Sequence, residues 1–220
     1  MRTRPVYVLV WLAVFVLTLL WSAIEPKDYA TWALEVAPAV IGLAILAATW
    51  RRFPLTPLLY WLILAHCVVL MVGGHYTYAE VPLFDTLKPL LGFQRNNYDK
   101  LGHFMQGFVP AVIAREILIR KAVVANAAWR NVFILSVCLA FSALYELLEW
   151  AVAVIAGASS EAFLGTQGYV WDTQSDMAMA GLGAVLALLT LWAWHDRQLA
   201  ALTRHPHHPG SGEAPGTSQS

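Results

Sequence analysis

Of 220 residues, 59% are hydrophobic and 13% are charged, a balance that excludes an ordinary water-soluble domain of this length. The formal net charge is zero, so nothing in bulk charge suggests nucleic acid or an acidic partner. Cys67 and Cys138 each sit in an apolar run, which argues against a disulfide framework or a thiolate metal site and leaves buried structural thiols.

A bilayer core of about 30 Å takes about 20 apolar residues per helix, and that ruler predicts an all-α polytopic bundle of about six transmembrane helices. The first covers residues 5–24 and ends at Glu25-Pro26-Lys27-Asp28. Its basic start also suits a signal peptide, but the apolar run is long and no small-residue cleavage site follows. Residues 30–50 form the second, interrupted by Glu35 and closed by Arg51 and Arg52. The third, 54–73, is expected to stop at Gly73-Gly74. In the loop over 74–98, Leu83, Phe84, Leu87, Leu90 and Leu91 recur at helical spacing with Asp85 and Lys88 opposite, which predicts a short interfacial helix limited by Pro89. A fourth span covers 98–119, contains Pro110 and closes at Arg120 and Lys121. The fifth covers 131–156 and, after a loop over 157–171, the sixth covers 173–194, ending at His195-Asp196-Arg197. Residues 1–194 therefore read as the transmembrane domain, and 195–220, rich in His, Pro, Gly and Ser, as a disordered polar tail.

Orientation follows from Lys and Arg. Arg2, Arg4, Arg51, Arg52, Arg115, Arg120, Lys121, Arg130, Arg197 and Arg204 fall on one side, and only Lys27, Lys88, Arg95 and Lys100 on the other. Both termini are expected in the cytoplasm, with the two long loops outside.

Charged groups inside spans cost about 2.5–3.5 kcal/mol each on insertion scales, so groups of them require compensation. Asp99 and His103 lie four apart, Glu146 and Glu149 three apart, and Asp172 and Asp176 four apart, spacings that put each pair on one helix face. All six fall in the outer half of the membrane. Together with Lys100 and Gln106 they form a candidate polar pocket, with His75, Tyr76, Tyr78, Arg95, Tyr98, Tyr145, Thr166 and Gln167 as outer hydrogen-bonding partners. Five carboxylates face one neighbouring cation, Lys100, with Arg95 and a protonated His103 within reach, so some acids hold protons or a cation binds. His103, Glu146, Glu149 and Asp176 are the ligand set a divalent Zn, Mn or Fe ion would use. The competing readings are interhelical stapling and helix N-terminal acids held by the dipole. Of the other polar residues, His66 reads as packing and Glu35 as ambiguous. Arg115 and Glu116 read as snorkelling to the cytoplasmic interface, and His205, His207 and His208 lie in a tail that offers no preorganised site.

Four runs carry a resemblance. Gly73-Gly-His-Tyr-Thr-Tyr-Ala-Glu-Val-Pro82, Asn97-Tyr-Asp-Lys-Leu-Gly-His-Phe-Met-Gln-Gly-Phe-Val-Pro110, Ser142-Ala-Leu-Tyr-Glu-Leu-Leu-Glu-Trp150 and Gly165-Thr-Gln-Gly-Tyr-Val-Trp-Asp-Thr-Gln-Ser-Asp176 resemble the YjdF family of bacterial inner-membrane proteins. The likeness extends to about Trp194 and implies an inner-membrane location. More distantly, Asp99-Lys100, His103-Phe104, Glu146 or Glu149, and Asp172 with Gly181 and Gly183 are similar to the VanZ-like membrane proteins, with Asp176 where that pattern has Asn. That second likeness implies a link to envelope or lipid chemistry.

Three functions are expected to compete. One is an outward-facing pocket that binds a lipid headgroup or a cation without chemistry. Another is a metal-dependent membrane hydrolase or transferase in which one Glu acts as base. The third is a small transporter, for which inverted repeats and paired broken helices are lacking. No serine-nucleophile motif, phosphate-binding glycine loop or dinucleotide fingerprint stands in a credible context.

Overall fold

In hydrocarbon a backbone must satisfy its own N–H and C=O groups, and helices do so within one segment. The computed structural model describes residues 5–156 and 169–204, and among these residues the chain forms seven helices and no strand. They are α1 (Pro5–Ser22), α2 (Tyr29–Thr49), α3 (Pro57–Tyr76), α4 (Pro82–Leu90), α5 (Tyr98–Arg120), α6 (Ala127–Ala156) and α7 (Asp172–Arg204). The protein is a helical membrane bundle. Helices α2, α3, α6 and α7 are long and apolar enough to cross a bilayer, and α1 carries a shorter apolar run, Val6–Ser22. At about 1.5 Å per residue, α5 is long enough to cross as well, but its charged groups hide it from an apolarity ruler.

The helix ends correct several sequence expectations. Gly73 and Gly74 do not stop α3; both are buried within it, and the helix ends at Thr77 in the left-handed region with φ of 58°. Helix α6 starts four residues before Asn131, where Asn126 accepts hydrogen bonds from the backbone of Ala128 and Trp129. Helix α7 runs past Trp194 to Arg204, so His195, Asp196 and Gln198 are helical residues with partners in the bundle. The short helix expected between α3 and α5 is present as α4, with Leu83 and Leu90 exposed and Phe84 packed edge-on against Tyr98. The expected tail beyond residue 204 lies outside the described residues, as do Thr166 and Gln167.

Helix α5 is the centre of the bundle, packed against α3, α6 and most closely α7, while α2 lies on α3, α1 on α3 and α6 on α7. Small residues permit the α5–α7 contact. A Cβ added at Gly107 would run into the backbone of Ala180, and one at Gly183 into the backbone of Phe104. Close backbone approach of this kind maximises dispersion contact where no hydrophobic effect separates helix from lipid. Beside the crossing, Ala111, Val112, Ile134, Cys138, Ala184 and Ala187 form one buried cluster with Leu59. Trp11, Phe15, Val36, Ala39, Ile63, Leu64, Cys67, Met71 and Val109 form another between α1, α2, α3 and α5. Both cysteines are free and buried.

Candidate functional site

The α5–α7 crossing sets the first turns of the two helices side by side, and those turns carry the acids. Asp99, Lys100 and His103 stand on α5; Asp172 and Asp176 stand on α7. Lys100 Nζ donates to Asp172 at 2.9 Å and to Asp176 at 2.5 Å, and Arg95, just before α5, reaches Asp172 at 2.6 Å. Asp176 is only 2% exposed, so its carboxylate rests on Lys100 rather than on water. Arg95 and Lys100 also lie 5.0 and 5.7 Å from the Tyr169 ring centroid, within cation–π range.

His103 links this ion cluster to α6. Its Nε2 lies 3.3 Å from Asp99 and 3.9 Å from Asp176, while its Nδ1 lies 3.0 Å from Gln106 Oε1 and 3.8 Å from Glu146 Oε1. Two buried oxygens here, Asp99 Oδ2 and Glu146 Oε1, have no hydrogen-bond partner among the described residues. Asp99, His103 and Asp176 each offer one ligand atom within 4.8 Å of the others, the one such trio found among the described residues. Glu146 and Glu149, part of the set expected from sequence, are not in that trio, and Asp99 takes their place. The α5–α7 crossing joins the first turns of those two helices, whereas Glu146 of α6 stands 3.8 Å from His103 and Glu149 follows one turn further along α6.

There Glu149 lines a cavity of about 320 Å³ between α2, α3, α5 and α6. Its polar wall also includes Glu35, His66, Tyr78, Asp99, His103 and Tyr145; its apolar wall includes Pro38, Leu70, Phe141, Leu144 and Leu148. Glu35, buried on α2, accepts a 2.9 Å hydrogen bond from Tyr145 of α6. That bond bridges two helices that make no extended packing with each other. Tyr78 closes another wall. Thr77 and Tyr78 both have positive φ, which turns the chain back at the end of α3 and lays the Tyr78 ring over Gly73 and Gly102, where a Cβ at either position would collide with it.

With these placements the chain can be compared with known proteins. Residues 7–197 match the family described as "Predicted membrane protein (DUF2238)". The chain belongs to this family. It is also 51% identical over 183 residues, 83% of this chain and 88% of the relative, to the Escherichia coli (strain K12) protein named "Inner membrane protein YjdF". No solved structure matches the chain. The family match spans five of the seven helices completely and most of α1 and α7, so both the ion cluster and the cavity fall within it.

Several residues are placed differently from the sequence reading. His75 and Tyr76 turn away from the cavity: His75 stacks on Trp21 with its Nδ1 3.1 Å from the Ser22 carbonyl, and Tyr76 packs on the same indole. Tyr98 donates to the Val69 carbonyl. His66, read as packing, lines the cavity. Arg115 and Glu116 do not snorkel; both are buried. Glu116 accepts from the Thr56 hydroxyl at 2.7 Å, the Thr56 backbone N–H at 3.1 Å and Arg120 at 2.7 Å, and His195 Nε2 lies 3.0 Å from it. Arg115 donates to Asp196 at 2.7 Å and faces His195 Nδ1 at 3.0 Å. An arginine has no acceptor, so His195 Nδ1 must accept from it, and Nε2 then carries the proton given to Glu116. With Gln198 accepting from Leu58 N–H, these groups satisfy the Thr56 and Leu58 N–H donors at the start of α3, where Thr56 makes no side-chain cap of its own.

Outside the spans, Asp28 caps α2 by accepting from Thr31 N–H at 2.6 Å. That backbone hydrogen bond holds its carboxyl below the usual range.

Proposed function

We propose that the protein is a multi-pass inner-membrane protein, both termini cytoplasmic, whose periplasm-facing cavity binds the ammonium headgroup of an amine-bearing phospholipid. The observation that carries this reading is the charge count around one cavity. Glu35, Asp99, Glu146, Glu149, Asp172 and Asp176 gather about Arg95, Lys100 and the His103 imidazole. The two permanent cations are spent on Asp172 and Asp176, which leaves Glu35 and Glu149 as cavity-wall acids for an incoming cation. The apolar wall suits the glycerol and upper acyl region of a lipid, and the open seam between α2 and α6 supports lateral entry from the bilayer. Binding proceeds without a chemical step: the acids hold the ammonium by charge-assisted hydrogen bonds, and Tyr145 orients Glu35. The orientation rests on the Lys and Arg asymmetry.

Native mass spectrometry of the detergent-purified chain tests this reading with phosphatidylethanolamine and its N-acetylated form, which keeps the phosphate and loses the ammonium. Retention of the amine lipid alone, abolished in Glu35→Gln/Glu149→Gln, is expected. Equal retention of the two lipids rejects the reading.

The Asp99–His103–Asp176 trio supports a second reading, a divalent cation serving hydrolysis or transfer on envelope lipids. The likeness of these motifs to VanZ-like proteins points to the same class of chemistry. Lys100 already donates to Asp176 at 2.5 Å, so an ion would compete with that ammonium for the carboxylate, which makes this the weaker reading. Near-stoichiometric Zn, Mn or Fe in protein lacking residues 205–220, lost in His103→Ala, is what it requires.

A further inference from the structure

About 18 Å along α5 from His103, at the opposite end of the bundle, a second cavity of about 310 Å³ lies between α5, α6 and α7. Its lining is of the opposite character: Arg115, Arg130, Asn131 and Trp192 offer N–H donors, and Asp196 is the carboxylate among them. Asp196 is already engaged by Arg115 at 2.7 Å. Arg130 is different. Its Nε is buried without a hydrogen-bond partner, and its guanidinium makes no ion pair among the described residues. A buried, unsatisfied N–H on a charged group costs free energy that a bound anion would recover.

The surroundings indicate which anion. Trp129, Trp192 and Trp194 are 62%, 55% and 54% exposed at this end, as indoles are where a bundle meets the headgroup layer. A basic cavity between helices at headgroup depth meets phospholipid phosphate at far higher local concentration than any soluble anion. Planar guanidinium also matches a phosphate diester through two parallel N–H···O bonds. We propose that this cavity binds the phosphate of an anionic phospholipid, with Arg130 as the principal contact and Arg115, Asn131 and Trp192 completing the donor set. The site is separate from the acidic cavity and does not rest on its assignment.

The probe is phosphatidylglycerol, which has the phosphate and no ammonium, titrated onto the full-length detergent-purified chain and read by native mass spectrometry. Arg130→Gln should lower its affinity about tenfold or more, as loss of a charge-assisted hydrogen-bond pair implies. Arg197→Gln, on the same face and outside the cavity, should leave it unchanged, and Asp196→Asn should raise it by removing the competing carboxylate. Arg130→Lys, which keeps the charge but not the fork, should fall between wild type and Arg130→Gln and serves if the latter does not fold. Wild-type affinity in either Arg130 variant, or an equal loss in Arg197→Gln, overturns the proposal. Displacement of the lipid by millimolar inorganic phosphate would make free phosphate the ligand and overturns the lipid assignment.

Discussion

Replacing Lys100 by Met removes the ammonium that bridges α5 to α7 while keeping most of the apolar stem. Two bonds are lost, at 2.9 Å to Asp172 and 2.5 Å to Asp176. Asp172 keeps Arg95 at 2.6 Å, whereas Asp176 is left with His103 Nε2 at 3.9 Å. Breaking a buried ion pair from one side costs about 3–5 kcal/mol, and because one of the two acids keeps a close partner the lower end, about 3 kcal/mol, is expected. Reversible unfolding in mixed micelles, followed by denaturant titration, reads this difference. The double variant Lys100→Met/Asp176→Asn no longer strands a carboxylate and should recover about half of the loss or more. A single variant within about 0.5 kcal/mol of wild type, or a double variant with purely additive losses, would refute the idea that these groups form one compensated unit.

Gly107→Ala puts a methyl group into the Ala180 backbone and should cost about 1–3 kcal/mol or more, while Gly42→Ala, inside α2 with open space for the methyl, should cost nothing and stabilise by up to about 1 kcal/mol in the same unfolding assay. Glu116→Ala strips acceptors from Thr56, Arg120 and His195 at once and should cost about 3 kcal/mol or more, with His195→Ala less severe because Arg120 and Thr56 still serve Glu116. The Asp28 cap supplies a pH dependence. Its folded carboxyl titrates below the unfolded value, so the cap contributes fully above about pH 4 and is lost as pH falls through the folded value. Asp28→Ala should therefore cost about 1 kcal/mol at neutral pH and nothing at the acid end, measured as the pH profile of unfolding.

Much of the site was legible because its residues are periodic. Asp99 with His103, Glu146 with Glu149 and Asp172 with Asp176 share faces by spacing, and one membrane side follows from span order. Which faces meet is a different matter, since it depends on Gly107 and Gly183, whose role shows only when two backbones touch. Glu35 comes to the cavity because α2 lies on α3 and Tyr145 can then reach it, a contact spanning 110 positions that no local pattern encodes. His75 and Tyr76 were misplaced because α3 continues through Gly73-Gly74, and the left-handed turn at Thr77 and Tyr78 then sends Tyr78 to the cavity and leaves the two preceding rings against Trp21. Arg115 and Glu116 stay inside because the start of α3 offers unsatisfied N–H groups and α7 continues far enough to bring His195 and Asp196 to them.

The central claim is that a cation-bearing lipid occupies the seam between α2 and α6, and site-mapped photocrosslinking tests it most directly. Phosphatidylethanolamine carrying a diazirine at the top of one acyl chain is incorporated into nanodiscs with the full chain, irradiated, and the adducts located by peptide mass spectrometry. Adducts concentrated on Pro38, Leu70, Phe141, Leu144 and Leu148, and lost in Glu35→Gln/Glu149→Gln, are the predicted result. Adducts spread over lipid-facing positions such as Leu9 and Leu17 of α1, and unchanged by the two substitutions, would contradict it.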